Sequence, residues 1–501
     1  MSDISFNNIP TTIRTPGVYT EIDNSRALQG LTQNPHKVLI LGQMTTDGTA
    51  AVETLKRVTS ATVGDGYFGQ DSILGRMCRK FKTANPNTDL YAVALLGSGG
   101  VLASGSIKFS IALSHAAGVV STNGEVVNLM VAGIAVPFTL TSGWSLGQVN
   151  SAAIAAINAN KYMPVSASTN AASALILTAL QSGTLGNSLD IRLNYYDGQS
   201  APTCFGDSAT IGAMAGGSID PDISDAWAVI ENEQFHYVVN PYNDATNFAA
   251  LDDELETRFG PLADKQGLGI MAKNDTVANL GTYGGAKNSP FITVMGYYLS
   301  PTPQEEWAAI TAAILSFNLN VDPARPLHTL SLKGVLPPTT TDIFTRTERD
   351  LLLYDGISTF LVNPSGDAMI ERMITTYQSN ALGAADPSYL NVNTMATLSE
   401  IRYQYNVRMS NRFLVPRFKL ADDTYPVQPG QMIATPKTVK QEIIALFTEL
   451  RDAGLIENLE DFIDNLIVQR NSTDKDRVDV LLPPDLINQF RILATKIQFI
   501  L

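Results

Sequence analysis

Short apolar runs of strand length alternate with helical patterns over much of the chain. Lys37–Gly42, Leu90–Leu96, Phe235–Asn240, Gly267–Ala272 and Gly356–Val362 are nearly uninterrupted apolar stretches, the pattern of strands buried on both faces. Between them lie helical periods. Thr302-Pro303-Gln304-Glu305 has the form of a capping box with proline at the first helical position, and Trp307, Ile310, Ile314 and Phe317 then fall on one face. A second helix is expected over Asp71 to Phe81. The alternation predicts an α/β fold with a mixed-sheet core, built from residues 36–100 and 201–380.

The block 101–200 interrupts this pattern. It holds only six charged residues (Lys108, Glu125, Lys161, Asp190, Arg192 and Asp197) and is rich in Ala, Ser, Thr and Gly. Short strand patterns near Ile107–Leu113, Glu125–Val131, Ile134–Leu140 and Ala174–Leu180 surround one Ala-rich helix, Ser145–Asn160. The block therefore reads as a small inserted β-rich domain. Residues 381–489 change character again, with a helical period at Leu398, Ile401, Tyr405 and Met409. A second helix follows Thr435-Pro436 and turns Val439, Ile443, Leu446, Phe447 and Leu450 to one side; Gly454 is its stop. Charges segregate here: 401–440 is mostly basic and 442–464 mostly acidic. These patches either pair in self-association or are two solvated helix faces.

Both ends have strand character without an evident partner. Residues 1–35 lack any helical period, and after Pro16-Gly17 the residues Val18, Thr20 and Ile22 alternate with Tyr19, Glu21 and Asp23, a short two-faced strand. In 490–501, Ile492, Leu493, Ile497, Phe499, Ile500 and Leu501 form an apolar strand pattern. Such a strand is either central in its own domain or joins the sheet of another subunit. Strand exchange through Val18, Tyr19, Ile22, Ile497, Phe499 and Leu501 is the resulting expectation.

Composition narrows the chemistry. The 501 residues carry a formal net charge of -14, with 45% hydrophobic and 16% charged positions, so several cores can be buried while DNA and anionic membranes would repel the chain. Neither direct nucleic-acid binding nor membrane insertion is expected. Cys78 and Cys204 are too far apart in sequence and too few for a zinc site or disulfide framework. The opening Met1-Ser2-Asp3-Ile4 has no leader pattern, so export by a signal is not expected.

Two catalytic patterns occur by spacing alone. Gly143-Trp144-Ser145-Leu146-Gly147 matches a nucleophile elbow and would make Ser145 a serine-hydrolase candidate. Its plainer reading is a helix start in which Ser145 and Gln148 form a capping box. Gly64-Asp65-Gly66-Tyr67-Phe68-Gly69 has dinucleotide-loop spacing, with Asp89 twenty residues beyond the last glycine, but no buried strand precedes it. It is expected to be a loop leading into the 71–81 helix. His36, His115, His236 and His328 lack ligand spacing, and Asp220/Asp222/Asp225 and Asp474/Asp476/Asp479 lack the rest of a calcium loop. No catalytic residue, cofactor or metal is assigned, and the chain is expected not to be an enzyme.

The segments Ile4-Ser5-Phe6-Asn7-Asn8-Ile9-Pro10, Arg14-Thr15-Pro16-Gly17-Val18-Tyr19 and Lys37-Val38-Leu39-Ile40-Leu41-Gly42 resemble the N-terminal region of Mu-type contractile phage tail sheath proteins. Thr375-Thr376-Tyr377, Asp386-Pro387-Ser388-Tyr389-Leu390, Thr435-Pro436 and Gly454-Leu455-Ile456-Glu457-Asn458 resemble that family's C-terminal half. Pro484-Asp485-Leu486-Ile487-Asn488-Gln489 and Ile497-Gln498-Phe499 resemble its closing strand. The resemblance implies a structural subunit that polymerises as stacked hexameric rings around a tail tube and contracts without consuming fuel to drive the tube through the host envelope. It implies as partners the chain itself, the tail tube protein, and baseplate and tail terminator proteins. Location in the virion, after synthesis and assembly in the bacterial cytoplasm, is implied too. A phage-derived contractile bacteriocin or secretion particle is the alternative within that class; an S-layer or adhesin-like protein and a Ser145 hydrolase are the alternatives outside it.

Overall fold

The stretch Lys37–Gln43 places six consecutive buried residues in one strand, which is possible only where both faces of a sheet are covered. In the computed structural model it is an inner strand of a six-stranded sheet. The strand order is Ile292–Tyr297, Leu268–Asn274, Tyr237–Val239, Lys37–Gln43, Asp89–Leu95 and Leu55–Val58. All neighbours run parallel except the last strand, which is antiparallel to Asp89–Leu95. The mixed α/β core is thus as expected, with two strands added to the expected set: Ile292–Tyr297 and the half-polar edge strand Leu55–Val58. Gly356–Val362 differs. Its strand is Thr359–Val362, which forms a two-stranded antiparallel ladder with Ala368–Arg372, while neighbouring Ser358 makes a single parallel bridge to Met295.

The structure describes residues 15–20, 31–97, 99–111, 120, 124–170, 174–205, 209–428 and 430–500. It divides into two compact units: residues 35–400 with 488–501, and residues 1–34 with 401–487. In the first, the helices Ile73–Ala84 and Gln304–Val321 pack on each other and on the central strand. The 304–321 helix begins after an N-cap at Pro303 with no side-chain cap bond, so the expected capping box at Thr302 is not formed. Nor is it a one-faced helix: Glu305, Trp307, Ala308, Ile310, Thr311, Leu315 and Leu319 are all buried, because both the sheet and the 73–84 helix cover it. Trp307 stacks on Tyr297 at 4.7 Å and donates its indole N–H to Ser300 Oγ at 3.0 Å, which satisfies the one polar atom of a large buried ring.

The inserted module has a hydrophobic cluster of its own, including Ile107, Leu129, Val149, Leu175, Leu177 and Met214. Its four-stranded antiparallel sheet runs Thr210–Ala215, Leu102–Lys108, Leu175–Ser182, Val165–Thr169. The alternation is clear in Leu102–Lys108, where Ala103, Gly105 and Ile107 face inward. The helix Leu146–Asn158 completes it. The strand Thr210–Ala215 lies beyond residue 200, so this sheet extends past the 101–200 block.

In the second unit, the helix Pro436–Asp452 starts at an N-cap Thr435 with Pro436 in its first turn. Thr438 Oγ1 accepts from the Thr435 N–H at 2.8 Å, the returning half of a capping box. Its buried stripe is the expected one: Val439, Ile443, Leu446, Phe447 and Leu450. Phe447 stacks on Phe462 of the helix Leu459–Asn465 at 4.0 Å. Gly454 takes φ 73°, the left-handed conformation that a side chain resists and that ends a helix.

Candidate assembly surfaces

The helix Ile73–Ala84 carries Arg76 into the core, where the guanidinium is 2% exposed. It donates to Glu305 Oε1 at 2.6 Å and to Glu306 Oε1 at 2.9 Å, and Lys80 reaches Glu306 at 3.1 Å. Two cations thus meet two carboxylates at the helix–helix contact. Burial pushes the Glu305 carboxyl above its ordinary range, which Arg76 opposes and neighbouring Glu306 reinforces. Catalytic work would need such a group to face a substrate cavity. The cavity that Arg76 and Glu305 line, with Ile73, Pro164 and Leu189, is small and mostly apolar, and the cluster acts as a structural clamp between the two helices.

The patterns that mimic catalytic motifs resolve into helix starts. Ser145 is the N-cap of the Leu146–Asn158 helix, and Gln148 Oε1 accepts from its backbone N–H at 2.9 Å. The Ser145 hydroxyl donates to Gln148 Oε1 at 3.1 Å, and among the described residues no histidine hydrogen-bonds to it. His36 and His236 instead stack on each other at 4.4 Å beside Tyr237. The Gly64 motif is not a loop: Ala61–Phe68 is a helix with Ser60 as N-cap, followed by the helix Ile73–Ala84. A Cβ at Gly64 would lie 2.9 Å from Cys78 Cβ, so the glycine serves close approach of two helices, not of a phosphate. Both cysteines are buried and neither is in a disulfide, and burial raises the Cys78 thiol far above its ordinary value. No group of three or more metal-ligating side chains occurs among the described residues. Asp222 caps a short helix, and Asp474 and Asp479 organise the turn between the strands Ile467–Arg470 and Val478–Leu481. His115 lies outside the described residues. No described helix is long and apolar enough to cross a membrane.

Charge segregation in the second unit is partly resolved within the chain. Arg408 pairs with Glu442 and Glu449, Arg412 with Glu442, and Arg470 with Asp422. The basic and acidic patches are therefore not two independent solvated faces.

The C-terminal segment presents unpartnered apolar side chains. Residues 490–500 belong to no strand, and Phe490, Ile492, Leu493, Ile497, Phe499 and Ile500 all stand exposed, from 72% to 99%. The segment is therefore not a central strand of its own domain. A run of isoleucine, leucine and phenylalanine in this state is costly in water, at about 1.5–3 kcal/mol for each large side chain left exposed instead of buried. At the other end, Val18 is 97% exposed, and the half-exposed Tyr19 donates its hydroxyl to the Thr15 carbonyl at 3.1 Å. Residues 15–20 form no strand; Ile22 and Leu501 lie outside the described residues.

Comparison with known proteins gives this inventory its meaning. Residues 216–376 match the phage tail sheath protein central domain, and residues 384–500 match the phage tail sheath C-terminal domain. The chain is also 38% identical over 499 residues to the Mu-like prophage FluMu tail sheath protein of Haemophilus influenzae, covering 99% of this chain and 100% of that one. The chain belongs to the Mu-like phage tail sheath proteins. Similar solved structures include sheath tail proteins of Desulfitobacterium hafniense (TM-score 0.47, 12% identity, covering 94% of this chain and 100% of that one) and Listeria innocua (0.49, 12%, 92% and 94%). The helical sheath of the anti-feeding prophage in its contracted state is another (0.47, 11%, 97% and 99%). At these scores the assignment rests on the sequence relatives. As a tail sheath protein, this chain is a structural component of a phage tail. Its relatives are structural proteins, in keeping with a core whose buried charges are clamped and whose unsatisfied surface is apolar.

Proposed function

We propose that this tail sheath protein is the repeating subunit of a contractile sheath. Copies join as stacked hexameric rings around a tail tube, and a change in their contacts drives the tube through the host envelope. Its partners are then other copies of itself, the tube protein, and the baseplate and terminator proteins at the two ends. It is made and assembled in the bacterial cytoplasm, works in the virion and catalyses no reaction.

The observation that carries this reading is the exposed apolar segment 490–500 in a full-length relative of a tail sheath protein. A segment of this kind is completed by strand addition. Ile497, Phe499 and Leu501, with Val18, Tyr19 and Ile22 at the other end, are the residues assigned to that exchange. Each main-chain hydrogen bond contributes about 0.5–1.5 kcal/mol against about 1–2 kcal/mol per residue ordered, so the backbone alone roughly breaks even and burial of the apolar side chains, about 1.5–3 kcal/mol each, supplies the net gain of each link. Flexible links of this kind let neighbours stay joined while rigid bodies reorient, and a contracted arrangement of lower free energy then supplies the work.

Negative-stain microscopy of the purified full chain is the test. Tubes or stacked rings are expected, and a chain deleted for 490–501 should remain folded and fail to polymerise. Polymers from the deleted chain indistinguishable from those of the full chain would overturn the strand-exchange assignment. A second version of the same reading is a phage-derived particle that delivers no genome; the neighbouring genes decide between them.

A further inference from the structure

Two arginines far apart in sequence meet at the root of the exposed C-terminal segment. Arg372 closes the strand Ala368–Arg372, and Arg491 begins the unpaired run. Both reach for a single neutral acceptor, Asn391 Oδ1, at 3.4 Å from Arg372 and 2.8 Å from Arg491. Asn391 is itself fixed by a bridge to Ile374 just before the helix Val392–Met409. Arg491 also donates to Gln489 Oε1. No described carboxylate forms an ion pair with either guanidinium; Asp350 and Tyr354 act on Arg372 only through their fields. The Arg372 Nε is buried with no hydrogen-bond partner.

This arrangement is unfavourable in the isolated chain. Burial lowers the Arg372 affinity for its proton against the pull of Asp350 and Tyr354, and burial together with Arg372 lowers Arg491 to about 10. Two half-buried cations sharing one amide oxygen lack a counter-ion, and a guanidinium pair is a fork made for a carboxylate.

We infer that the Arg372 and Arg491 guanidiniums form a carboxylate-binding site filled by an aspartate or glutamate of a second copy of this chain, which replaces Asn391 Oδ1 as their shared acceptor. The inference rests on the self-assembly proposed above. Three observations favour a second copy over a free anion. The site lies beside the segment whose apolar side chains are left for a neighbour. Residues 488–501 carry Arg491 and Lys496 and no acid, so the segment cannot supply the carboxylate itself. The whole chain has 48 acidic against 34 basic residues, so copies repel one another unless basic sites such as this one face their carboxylates.

The test compares the wild type with Arg372→Gln, Arg491→Gln, the double variant and Asn391→Ala, measuring polymerisation by sedimentation and monomer folding by thermal melting. Each arginine variant should melt as the wild-type monomer does and require roughly tenfold more protein to polymerise. Salt should weaken wild-type assembly more than that of the double variant, because an ion pair across the contact is screened. Asn391→Ala keeps both cations and should assemble nearly normally. Unchanged assembly in both arginine variants overturns the inference. So does an Asn391→Ala defect equal to that of Arg491→Gln, which would make Arg491 a tether within its own chain. Saturable binding of inorganic phosphate to the wild-type monomer, lost in the double variant, with normal assembly of that variant, would make this a free-anion site and overturn it as well. Failure of the wild type to polymerise would instead refute the proposed function.

Discussion

Replacing Arg76 by methionine should be among the most damaging single changes outside the apolar core. Methionine fills much of the space, so the loss is chiefly electrostatic. Arg76 is 2% exposed and bonds to Glu305 at 2.6 Å and Glu306 at 2.9 Å; those carboxylates are 1% and 5% exposed. Without the guanidinium, two buried carboxylates retain only Lys80, which is bonded to Glu306. Breaking a buried pair in this way costs about 3–5 kcal/mol, a large part of the roughly 5–15 kcal/mol of a typical domain. The sign of the pH dependence follows from the same cause. In the variant the buried Glu305 carboxyl, already raised by burial and no longer opposed by Arg76, holds its proton more tightly than in the unfolded chain, so the folded state gains relative stability as pH falls toward the ordinary carboxyl range. The deficit is therefore largest at neutral pH and shrinks on acidification. Urea unfolding followed by the fluorescence of buried Trp307 measures both effects. Adding Glu305→Gln to Arg76→Met should recover part of the loss. A deficit below about 1 kcal/mol, or one that does not change with pH, would refute the clamp.

Three further outcomes are expected. The half-buried His36 is held down to about 4 by desolvation, and His236 is lowered too by burial, His36 and Lys37. The unfolded chain therefore takes up protons first, and the stability present above about pH 6.5 is lost as pH falls toward 4; a flat urea midpoint over that range, or the same slope in His36→Gln, contradicts this. Ile497→Asp with Phe499→Asp should leave the monomer's melting unchanged while abolishing polymerisation, as read by light scattering, because both side chains are exposed in the free chain. Ser145→Ala should cost about 0.5–1 kcal/mol through the weakened helix start, and a serine-hydrolase probe should not label the wild type; labelling at Ser145 would reopen the enzymatic reading.

The parts of this fold that were legible in the sequence are those where one interaction dominates. Lys37–Gln43 had to be apolar because it is covered on both faces, and Thr435-Pro436 with Gly454 marked both ends of a helix through capping and φ. Edge positions were harder. Leu55–Val58 carries Lys56 and Arg57 because its outer edge has no neighbour, so it reads as polar chain. The Gly64 motif read as a loop from its glycines, whereas close packing against Cys78 makes them part of a helix. The C-terminal segment was legible as apolar and without an evident partner, but its pattern read as a strand and residues 490–500 form none within the chain, since a strand depends on what the fold leaves beside it. Arg76 with Glu305, and Arg372 with Arg491, were not legible at all: each pair is separated by more than a hundred residues, and no local period links its members.

A cryo-electron microscopy map of the polymer formed by the purified full chain tests the central claim most directly, through the path of residues 490–500. Ile497 and Phe499 should lie in a strand hydrogen-bonded to another copy of the chain, with their side chains buried. A polymer in which that segment stays solvent-exposed or folds back on its own subunit would contradict it.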